Sequence, residues 1–223
     1  GVNKSNGNPI WRKADGTLAQ FDTFGDYDYK VYDPANPSDV SQESSLSASD
    51  RKILGNSMPT WFGGFNNTIT YKDFDLNVFF RFSGGNKLMN GSRQSSLLNL
   101  NFSNNGTEIL GRWQSEENPG DGLTPKIGYG NDDALFNEGY TDSHFVEDAS
   151  YLKLATLTLG YTLPKSLTSK INISKVRFYA QGQNLLTITG YSGLDPETTS
   201  RTGVDWDGLP QQRVLTLGAN ITF

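Results

Sequence analysis

Acidic side chains stand in pairs at four places along the chain, and paired carboxylates are the residues here that could perform acid–base chemistry. The pairs are Glu116 with Glu117, Asp132 with Asp133, Glu147 with Asp148, and Asp205 with Asp207. Each pair lies in a loop region where solvated charge is the usual condition. With His144 as the only histidine and no cysteine, the chain lacks a histidine metal cluster, a thiolate site and a convincing nucleophile triad. The sequence therefore predicts a protein that is not an enzyme.

Oxygen-bearing side chains that could bind calcium are found in one region, at Asp121, Asn131, Asp132 and Asp133. Carboxylate and amide oxygens are the ligands that Ca²⁺ takes in proteins. Their spacing matches no EF-hand loop, and hydrated loop charge is the simpler interpretation. Apart from calcium in these loops, we expect no metal and no cofactor.

Large aromatic residues occur in the predicted loops, at Trp113, Tyr129, Tyr191 and Trp206. Aromatic rings exposed on loops can stack on sugar rings or on peptide side chains. They can equally pack one loop against another. We take these four residues as the candidate substrate-binding residues.

The overall composition excludes some classes of partner. The net charge is −5 and the isoelectric point is near 4.9, which argues against nucleic acid. No run of apolar residues approaches the 18 that a transmembrane helix needs. Hydrophobic residues make up 35% of the chain, aromatic residues 12%, and 24 residues are glycine. This composition favours a β-protein with long polar loops.

Five segments alternate apolar and polar residues with the period of two that is typical of a β-strand. They are Trp61–Tyr71, Phe74–Phe82, Tyr151–Leu163, Lys175–Thr189 and Arg213–Phe223. Only Lys72 and Asp73 separate the first two segments, which predicts a tight hairpin. Each segment has about 10 residues or more, enough for a tilted strand to cross a bilayer.

The alternation predicts one apolar and one polar face for these strands. The residues expected on a lipid-facing side are Leu157, Leu159, Phe178, Leu215, Leu217 and Ile221. The residues expected on the opposite, lumen-facing side include Arg81, Arg177, Gln181 and Gln183. The last strand ends on Phe223 in the apolar phase, which resembles the final strand of outer-membrane barrels. We assign Phe223 to the assembly signal that this strand carries in such barrels; the alternative is an ordinary half-buried strand of a β-sandwich.

The connections between the five segments alternate between long and shorter. Residues 83–150 and 190–212 form the long connections, whereas 72–73 and 164–174 form the shorter ones. Outer-membrane barrels have this arrangement, with short periplasmic turns and long extracellular loops. We therefore expect an extracellular loop region at 1–57, with a short hairpin around Trp11–Phe21, and barrel strands over 58–223. The connection 83–150 is expected to contain one or two short helices between Ser92 and Trp113.

Four stretches resemble, in the same order, the last part of the barrel in SusC-like (RagA-like) TonB-dependent transporters. The stretches are DRKILGNSMPTWFGGFNNTITYK at Asp50–Lys72, FVEDASYLKLATLTLGYTLP at Phe145–Pro164, VRFYAQGQNLLTITGYSGLDP at Val176–Pro196 and PQQRVLTLGANITF at Pro210–Phe223. They cover most of the chain after Asp50, whereas the loops 83–150 and 198–209 match only loosely.

The resemblance implies an all-β fold: a transmembrane antiparallel barrel of 22 strands in the outer membrane of a Gram-negative bacterium. It also implies an N-terminal plug, a segment that contacts TonB, and a SusD-like lipoprotein at the cell surface. The function implied is import of oligosaccharides or peptides without covalent chemistry. Five strands cannot close a barrel, so we expect the remaining barrel and plug of the same transporter to be partners of this chain, together with the lipid bilayer.

Two alternatives remain open at this point. The first is a secreted, soluble β-sandwich that binds glycans, and the second is an outer-membrane barrel that does not transport. Dependence on detergent would distinguish the sandwich from either barrel, and a plug with a TonB-contacting segment would distinguish the two barrels.

Overall fold

The computed structural model describes residues 1–23, 28–98, 100, 104–128, 143–171, 173–197, 203–206 and 208–223. The chain forms two compact units, the first from residues 1–54 and 90–146 and the second from 55–89 and 147–223. The expected division into an extracellular region over 1–57 and a barrel region over 58–223 stays a prediction.

The first unit contains a small antiparallel meander of four strands. They are β1 (Ile10–Arg12), β2 (Leu18–Thr23), β3 (Asp28–Val31) and β4 (Glu43–Ser44), paired in sequence order. Strands β1 and β2 form the hairpin predicted around Trp11–Phe21, whereas β3 and β4 lie in residues predicted to be irregular. These strands have four residues or fewer, too short for alternation to be visible in the sequence. Buried Phe21 and Tyr29 hold the meander together through an edge-to-face contact at 5.4 Å between ring centroids.

Among the described residues of the first unit, the other regular structure consists of short helical turns. They are a π-helical turn at Arg93–Leu97 and 3-10 turns at Ala48–Asp50, Thr107–Gly111 and Ser143–Phe145. Two of these turns lie where short helices were expected, between Ser92 and Trp113. In the part of the chain that the structure describes, no helix is both long and apolar enough to span a membrane.

The second unit is built on a five-stranded antiparallel sheet. In chain order its elements are β5 (Trp61–Tyr71), β6 (Phe74–Gly84), β7 (Lys87–Asn90), β8 (Val146–Asp148), β9 (Tyr151–Thr162), α1 (Lys165–Thr168), a 3-10 turn (Ser169–Ile171), β10 (Lys175–Thr189), β11 (Val204–Asp205) and β12 (Val214–Thr222). The large sheet has the order β5-β6-β9-β10-β12, and β11-β7-β8 form a small separate sheet. All five strands of the large sheet were predicted, with ends within two residues of those observed.

The two ends of the large sheet differ in the length of their connections. Its strands form an up-and-down meander, so successive connections lie at alternate ends. Residues 72–73 and 163–174 connect strands at one end, which we call the turn end. Residues 85–150 and 190–213 connect strands at the other, which we call the loop end. The predicted alternation of short and long connections is therefore confirmed in its arrangement around the sheet.

The pairing register places most apolar residues of each strand on one face of the sheet, here called the apolar face, with Phe62 and Phe79 as exceptions on the other. The apolar face includes Phe65, Ile69, Leu76, Val78, Leu157, Leu159, Phe178, Ala180, Leu215, Leu217 and Ile221. Many of these side chains are exposed, among them Leu215 at 81% and Leu217 at 85%. The opposite, polar face includes Asn66, Thr68, Asp75, Asn77, Arg81, Thr156, Thr158, Arg177, Tyr179, Gln181, Gln183 and Thr216. The six residues predicted to share a face do so.

One part of the predicted alternation is wrong, because β9 contains a β-bulge. Strict alternation predicts Ala155 on the same face as Leu157, whereas Ala155 is an extra residue between Leu154 and Thr156, which pair with consecutive residues of β6. The bulge changes the phase of the strand. As a result, Tyr151 and Lys153 lie on the polar face, beside Arg81 and Ser83 of β6.

Candidate functional site

The polar face of the large sheet is the candidate functional site, because it gathers most of the hydrogen-bonding side chains of the five strands. In its middle, the Asn77 side-chain amide donates to the Asn66 Oδ1 at 3.0 Å and to the Thr68 Oγ1 at 2.9 Å. Asn77 lies directly opposite Thr68 across the β5–β6 hairpin. Such cross-strand pairs hold the side chains of the polar face in defined positions.

At the turn end, an ion pair crosses a whole strand. Arg177 of β10 and Asp75 of β6 are separated by β9, yet the Arg177 Nε donates to the Asp75 Oδ1 at 2.8 Å. The strand between them carries Gly160 at this position, and a Cβ there would collide with both the guanidinium and the carboxylate. Gly160 is therefore required for close approach rather than for a turn.

A second glycine, Gly218, leaves space for an aromatic ring in the same way. Tyr179 of β10 lies between Gly160 of β9 and Gly218 of β12 in the pairing register. A Cβ on Gly218 would meet the Tyr179 ring at 2.5 Å. The guanidinium carbon of Arg177 also lies 5.4 Å from the centroid of this ring, within cation–π range. The turn end of the polar face is thus covered by one arginine and one tyrosine that lie flat over neighbouring strands.

At the loop end, Lys153 is the centre of a buried charge network. Its side chain is 1% exposed, and its Nζ donates to Asp195 Oδ1 and Oδ2 at 3.1 and 3.0 Å. The same Nζ forms an ion pair with Glu197. A lysine is almost never this buried without a charged partner, and here it has two.

Arg81 and Tyr151 extend this network on the polar face. The Arg81 guanidinium donates to the Glu197 Oε2 at 2.7 Å and to the Gln211 Oε1 at 2.7 Å. The Tyr151 hydroxyl donates to the Glu197 Oε1 at 2.6 Å. The positive charges of Lys153 and Arg81 and the negative charges of Asp195 and Glu197 therefore balance at this end of the sheet.

The loop between β10 and β12 is held by Asp195. Its carboxylate accepts hydrogen bonds from the backbone amides of Glu197 at 3.1 Å and Gln211 at 3.2 Å, which join the two ends of the loop. Burial alone would raise the pKa of Asp195. The hydrogen bonds from Glu197, Lys153 and Gln211 outweigh burial and hold this pKa below its usual value.

Tyr191, one of the four predicted substrate-binding residues, packs inside the second unit. Its side chain is buried with Leu88 and Ala149, and its hydroxyl donates to the Asp205 Oδ2 at 2.8 Å. Burial, together with the Asp205 carboxylate, raises the pKa of Tyr191. Its position is that of a residue that holds the loop in place, and its role in substrate binding stays a prediction.

The other predicted residues lie in different surroundings. Trp206 follows Asp205 and is 56% exposed, while Trp113 is half-buried in the first unit and donates from its indole Nε1 to the Lys4 carbonyl at 2.7 Å. Tyr129 lies outside the described residues. Phe223 follows β12 and is 87% exposed. Tyr191 and Trp206 lie in the same loop, and the substrate and assembly roles of these residues stay predictions.

Several acidic residues from the predicted pairs have structural partners. Glu147 accepts hydrogen bonds from the amide and hydroxyl of Ser192, both at 2.7 Å. Asp205 binds Tyr191, and the Ser150 hydroxyl and amide together with Lys87 lower the pKa of Asp148 to about 2. Asp132, Asp133 and Asp207 lie outside the described residues.

The predicted calcium ligands are only partly described. Asp121 accepts hydrogen bonds from the Leu123 and Thr124 amides, both at 2.7 Å, and so shapes its own loop. Asn131, Asp132 and Asp133 lie outside the described residues. Within the described ranges, no three His, Cys, Asp or Glu side chains group closely enough to hold a metal ion. Calcium binding stays a prediction.

The network around Lys153 was missed by the sequence analysis, which named only Arg81 among its members. One signal was present in the sequence. In Leu152-Lys153-Leu154 the apolar residues have even numbers, whereas from Leu157 onward they have odd numbers. Such a change of phase within one strand indicates a bulge and places the lysine on the polar face.

Known proteins resemble this chain in both sequence and structure. TonB-dependent receptor P3 of Formosa agariphila is 34% identical over 197 residues, which cover 83% of this chain and 18% of that protein. SusC of Bacteroides thetaiotaomicron is 37% identical over 87 residues, which cover 38% of this chain and 8% of that receptor. The solved RagAB peptide importer in the closed-closed state superposes with a TM-score of 0.71 at 25% identity, over 100% of this chain and 22% of the matched chain. No protein-family profile matches.

A two-faced antiparallel meander together with these matches defines a section of a TonB-dependent receptor. The chain belongs to the SusC-like TonB-dependent transporters. It spans about a fifth of the length of the relatives that it matches over most of its residues.

Proposed function

We propose that this chain forms part of the wall of an outer-membrane importer. The apolar face of its large sheet contacts lipid, and the polar face lines the lumen. The observation that carries this proposal is the two-faced sheet, in which large apolar side chains such as Leu217 are exposed and charged side chains such as Lys153 are buried. A soluble protein has the opposite arrangement, with its apolar face buried.

The rival function, a soluble glycan-binding β-sandwich, requires a second sheet against the apolar face. That face is instead open along β12, where Leu215, Leu217 and Ile221 are all at least half exposed. An apolar surface of this extent on a soluble protein promotes association and aggregation. The exposed face therefore favours the membrane protein.

The sheet also has two edges, β5 and β12, each paired on one side only within the described residues. In a bilayer an unpaired strand edge leaves backbone groups without partners, at several kcal/mol for each group. We therefore propose that both edges pair with the remaining strands of the same transporter. The family resemblance gives 22 strands for the closed barrel.

The proposed cargo is an oligosaccharide or a peptide, delivered with a SusD-like surface lipoprotein and moved with energy from TonB. The names of the matched proteins support transport through TonB, and one matched structure is of a peptide importer. A wall of amides, hydroxyls and paired charges suits a polar cargo that passes without covalent change. Of the loop aromatics, Trp113, Tyr129 and Trp206 are the proposed contacts, and buried Tyr191 is proposed to hold its loop in place.

Single-cysteine labelling tests the orientation of the sheet, because this chain has no cysteine of its own. Leu217→Cys and Leu159→Cys report the apolar face, and Thr216→Cys and Thr158→Cys, each one residue away, report the polar face. The full-length receptor, freed of cysteines elsewhere, is produced in the outer membrane and treated with a lipid-soluble or a membrane-impermeant maleimide.

We expect the leucine positions to react with the lipid-soluble reagent only and the threonine positions to react with the impermeant reagent. The reverse pattern, or a receptor fully soluble after the membranes are removed, would overturn the proposal. A non-transporting barrel would give the same labelling pattern. Uptake of fluorescent oligosaccharides and peptides that stops when the TonB-contacting segment is deleted separates the importer from that alternative.

A further inference from the structure

The network around Lys153 shows where the loop between β10 and β12 lies. Asp195 and Glu197 of this loop bind Lys153, Tyr151 and Arg81, three residues that all belong to the polar face. Residues 195–197 and Gln211 of this loop therefore lie over the polar face, while β11, in the same loop, pairs with β7 in the small sheet. The bulge at Ala155 makes this possible, because it turns Tyr151 and Lys153 toward that face.

The segment 195–197 extends inward past the end of the strands. Lys153 is the third residue of β9, so its backbone lies about 7 Å inside the strand end at a rise of about 3.4 Å per residue. The side chains of Lys153 and Asp195 are 1% and 6% exposed, so the loop covers this part of the wall closely. Gln211 approaches the same place from the other end of the loop and binds Arg81.

Buried ion pairs contribute little net stability but specify position, because a displaced partner leaves an uncompensated charge. Lys153 has two carboxylate partners, both on the same loop. If this loop moved off the wall, Lys153, Asp195 and Glu197 would all lose their charge partners at once. The network therefore acts as an anchor for one defined loop position.

We propose that the segment 195–197 of this loop is an inward-folded constriction that lines and narrows the import passage, and that Lys153 is the positioning residue that holds it there. This inference rests on the proposed function, because the polar face must be the lumen side. The constriction acts on large polar solutes, whose passage depends on the free width between this loop and the rest of the lumen.

Gln181→Cys provides a reporter inside the passage. Gln181 lies on the polar face opposite Thr158 and Thr216, six residues along β10 from Thr187, which pairs with Lys153. A reagent that enters from the loop end therefore passes the Lys153 row before it reaches residue 181. The rates of reaction with N-ethylmaleimide and with a polyethylene-glycol maleimide are measured on cells that produce the full-length receptor alone.

In Lys153→Met we expect the rate with the polyethylene-glycol reagent, relative to the small reagent, to rise about tenfold or more, since the anchor no longer opposes opening of the loop. Lys87→Met is the matched control, because Lys87 forms an exposed ion pair with Asp148 in the small sheet. The control should leave the ratio unchanged. Glu197→Gln, which keeps the shape of the side chain, gives a second test if Lys153→Met does not assemble.

Hydrogen exchange at the Glu197 and Gln211 amides shows whether the loop is released in these variants. A higher reagent ratio with faster exchange, in the anchor variants only, supports the inference. Faster exchange without a change in the ratio would show that the loop does not narrow the passage, and unchanged exchange would show that Lys153 does not hold the loop. Reaction of residue 181 with lipid-soluble reagents only would instead overturn the proposed function.

Discussion

Arg177 and Asp75, 102 residues apart in the chain, form an ion pair across an intervening strand. Their side chains meet over Gly160, whose missing Cβ leaves a gap in the wall that one guanidinium fills. The pair joins β6 to β10 without a direct backbone contact between them. It therefore fixes the register of three strands near the turn end of the sheet.

Replacement of Gly160 should disrupt this ion pair. In Gly160→Val the added side chain collides with Arg177 and Asp75, and overpacking of this kind costs about 1–3 kcal/mol. Urea unfolding of the refolded full-length receptor in vesicles measures the change in the free energy of unfolding. Gly190→Ala, where a Cβ meets no atom within 4 Å, is the control and should change this free energy by less than about 0.5 kcal/mol. Equal losses in the two variants would contradict the role given to Gly160.

A charge on the apolar face should be costly if that face contacts lipid. Leu217→Arg places a guanidinium where the side chain is 85% exposed in this chain, and near the bilayer midplane such a change costs about 2–4 kcal/mol. Thr216→Arg, on the opposite face, should cost clearly less. Refolding yield into lipid vesicles and unfolding in urea give the comparison. A smaller loss for Leu217→Arg than for Thr216→Arg would contradict the assignment of the faces.

Loss of Lys153 should destabilise the second unit strongly. Lys153→Met leaves the carboxylates of Asp195 and Glu197 without their central cation, and breaking a buried ion pair costs about 3–5 kcal/mol. Lys87→Met removes a lysine that is 40% exposed in its pair with Asp148, and such pairs contribute about 0–1 kcal/mol. Chemical unfolding of both variants in vesicles measures the difference. Similar values for the two lysines would show that burial of Lys153 has no energetic consequence.

The segment around Asp195 should detach from the polar face in acid. The pKa of Asp195 is lower in the folded protein than in an unfolded chain, so its stabilising effect is complete above its ordinary pKa of about 3.9 and is lost as the pH falls through the lower folded value. A fluorophore attached at Leu209→Cys, an 86% exposed residue two positions from Gln211, reports this change. Its anisotropy should be constant from neutral pH to about pH 4 and fall below that value.

Asp195→Asn provides the control for the acid response. An amide cannot be protonated in this range, so the anisotropy of this variant should be low already at neutral pH and nearly independent of pH. An acid-dependent fall of normal size in Asp195→Asn would show that another group controls release of the loop.

The amino-acid sequence by itself determined the five long strands, their apolar and polar phases and the alternation of their connections. These features depend on periodicity within single segments such as Trp61–Tyr71, which pairs with β6 without a shift in register. The sequence also predicted the hairpin near Trp11. The short strands Asp28–Val31 and Glu43–Ser44 were not predicted, because two to four residues carry no readable period.

The tertiary structure alone decided which side chains meet on the polar face. The bulge at Ala155 depends on pairing with both neighbouring strands, and it places Lys153 on the polar face, whereas strict alternation from Leu157 would place it on the apolar face. The contact between Lys153 and Asp195 joins residues 42 positions apart, and that between Arg177 and Asp75 depends on an absent side chain at Gly160. Periodicity within a strand predicts only the face on which a side chain lies. Contacts such as these depend also on the register between strands and on the folding of loops, which are set by pairing between distant parts of the chain.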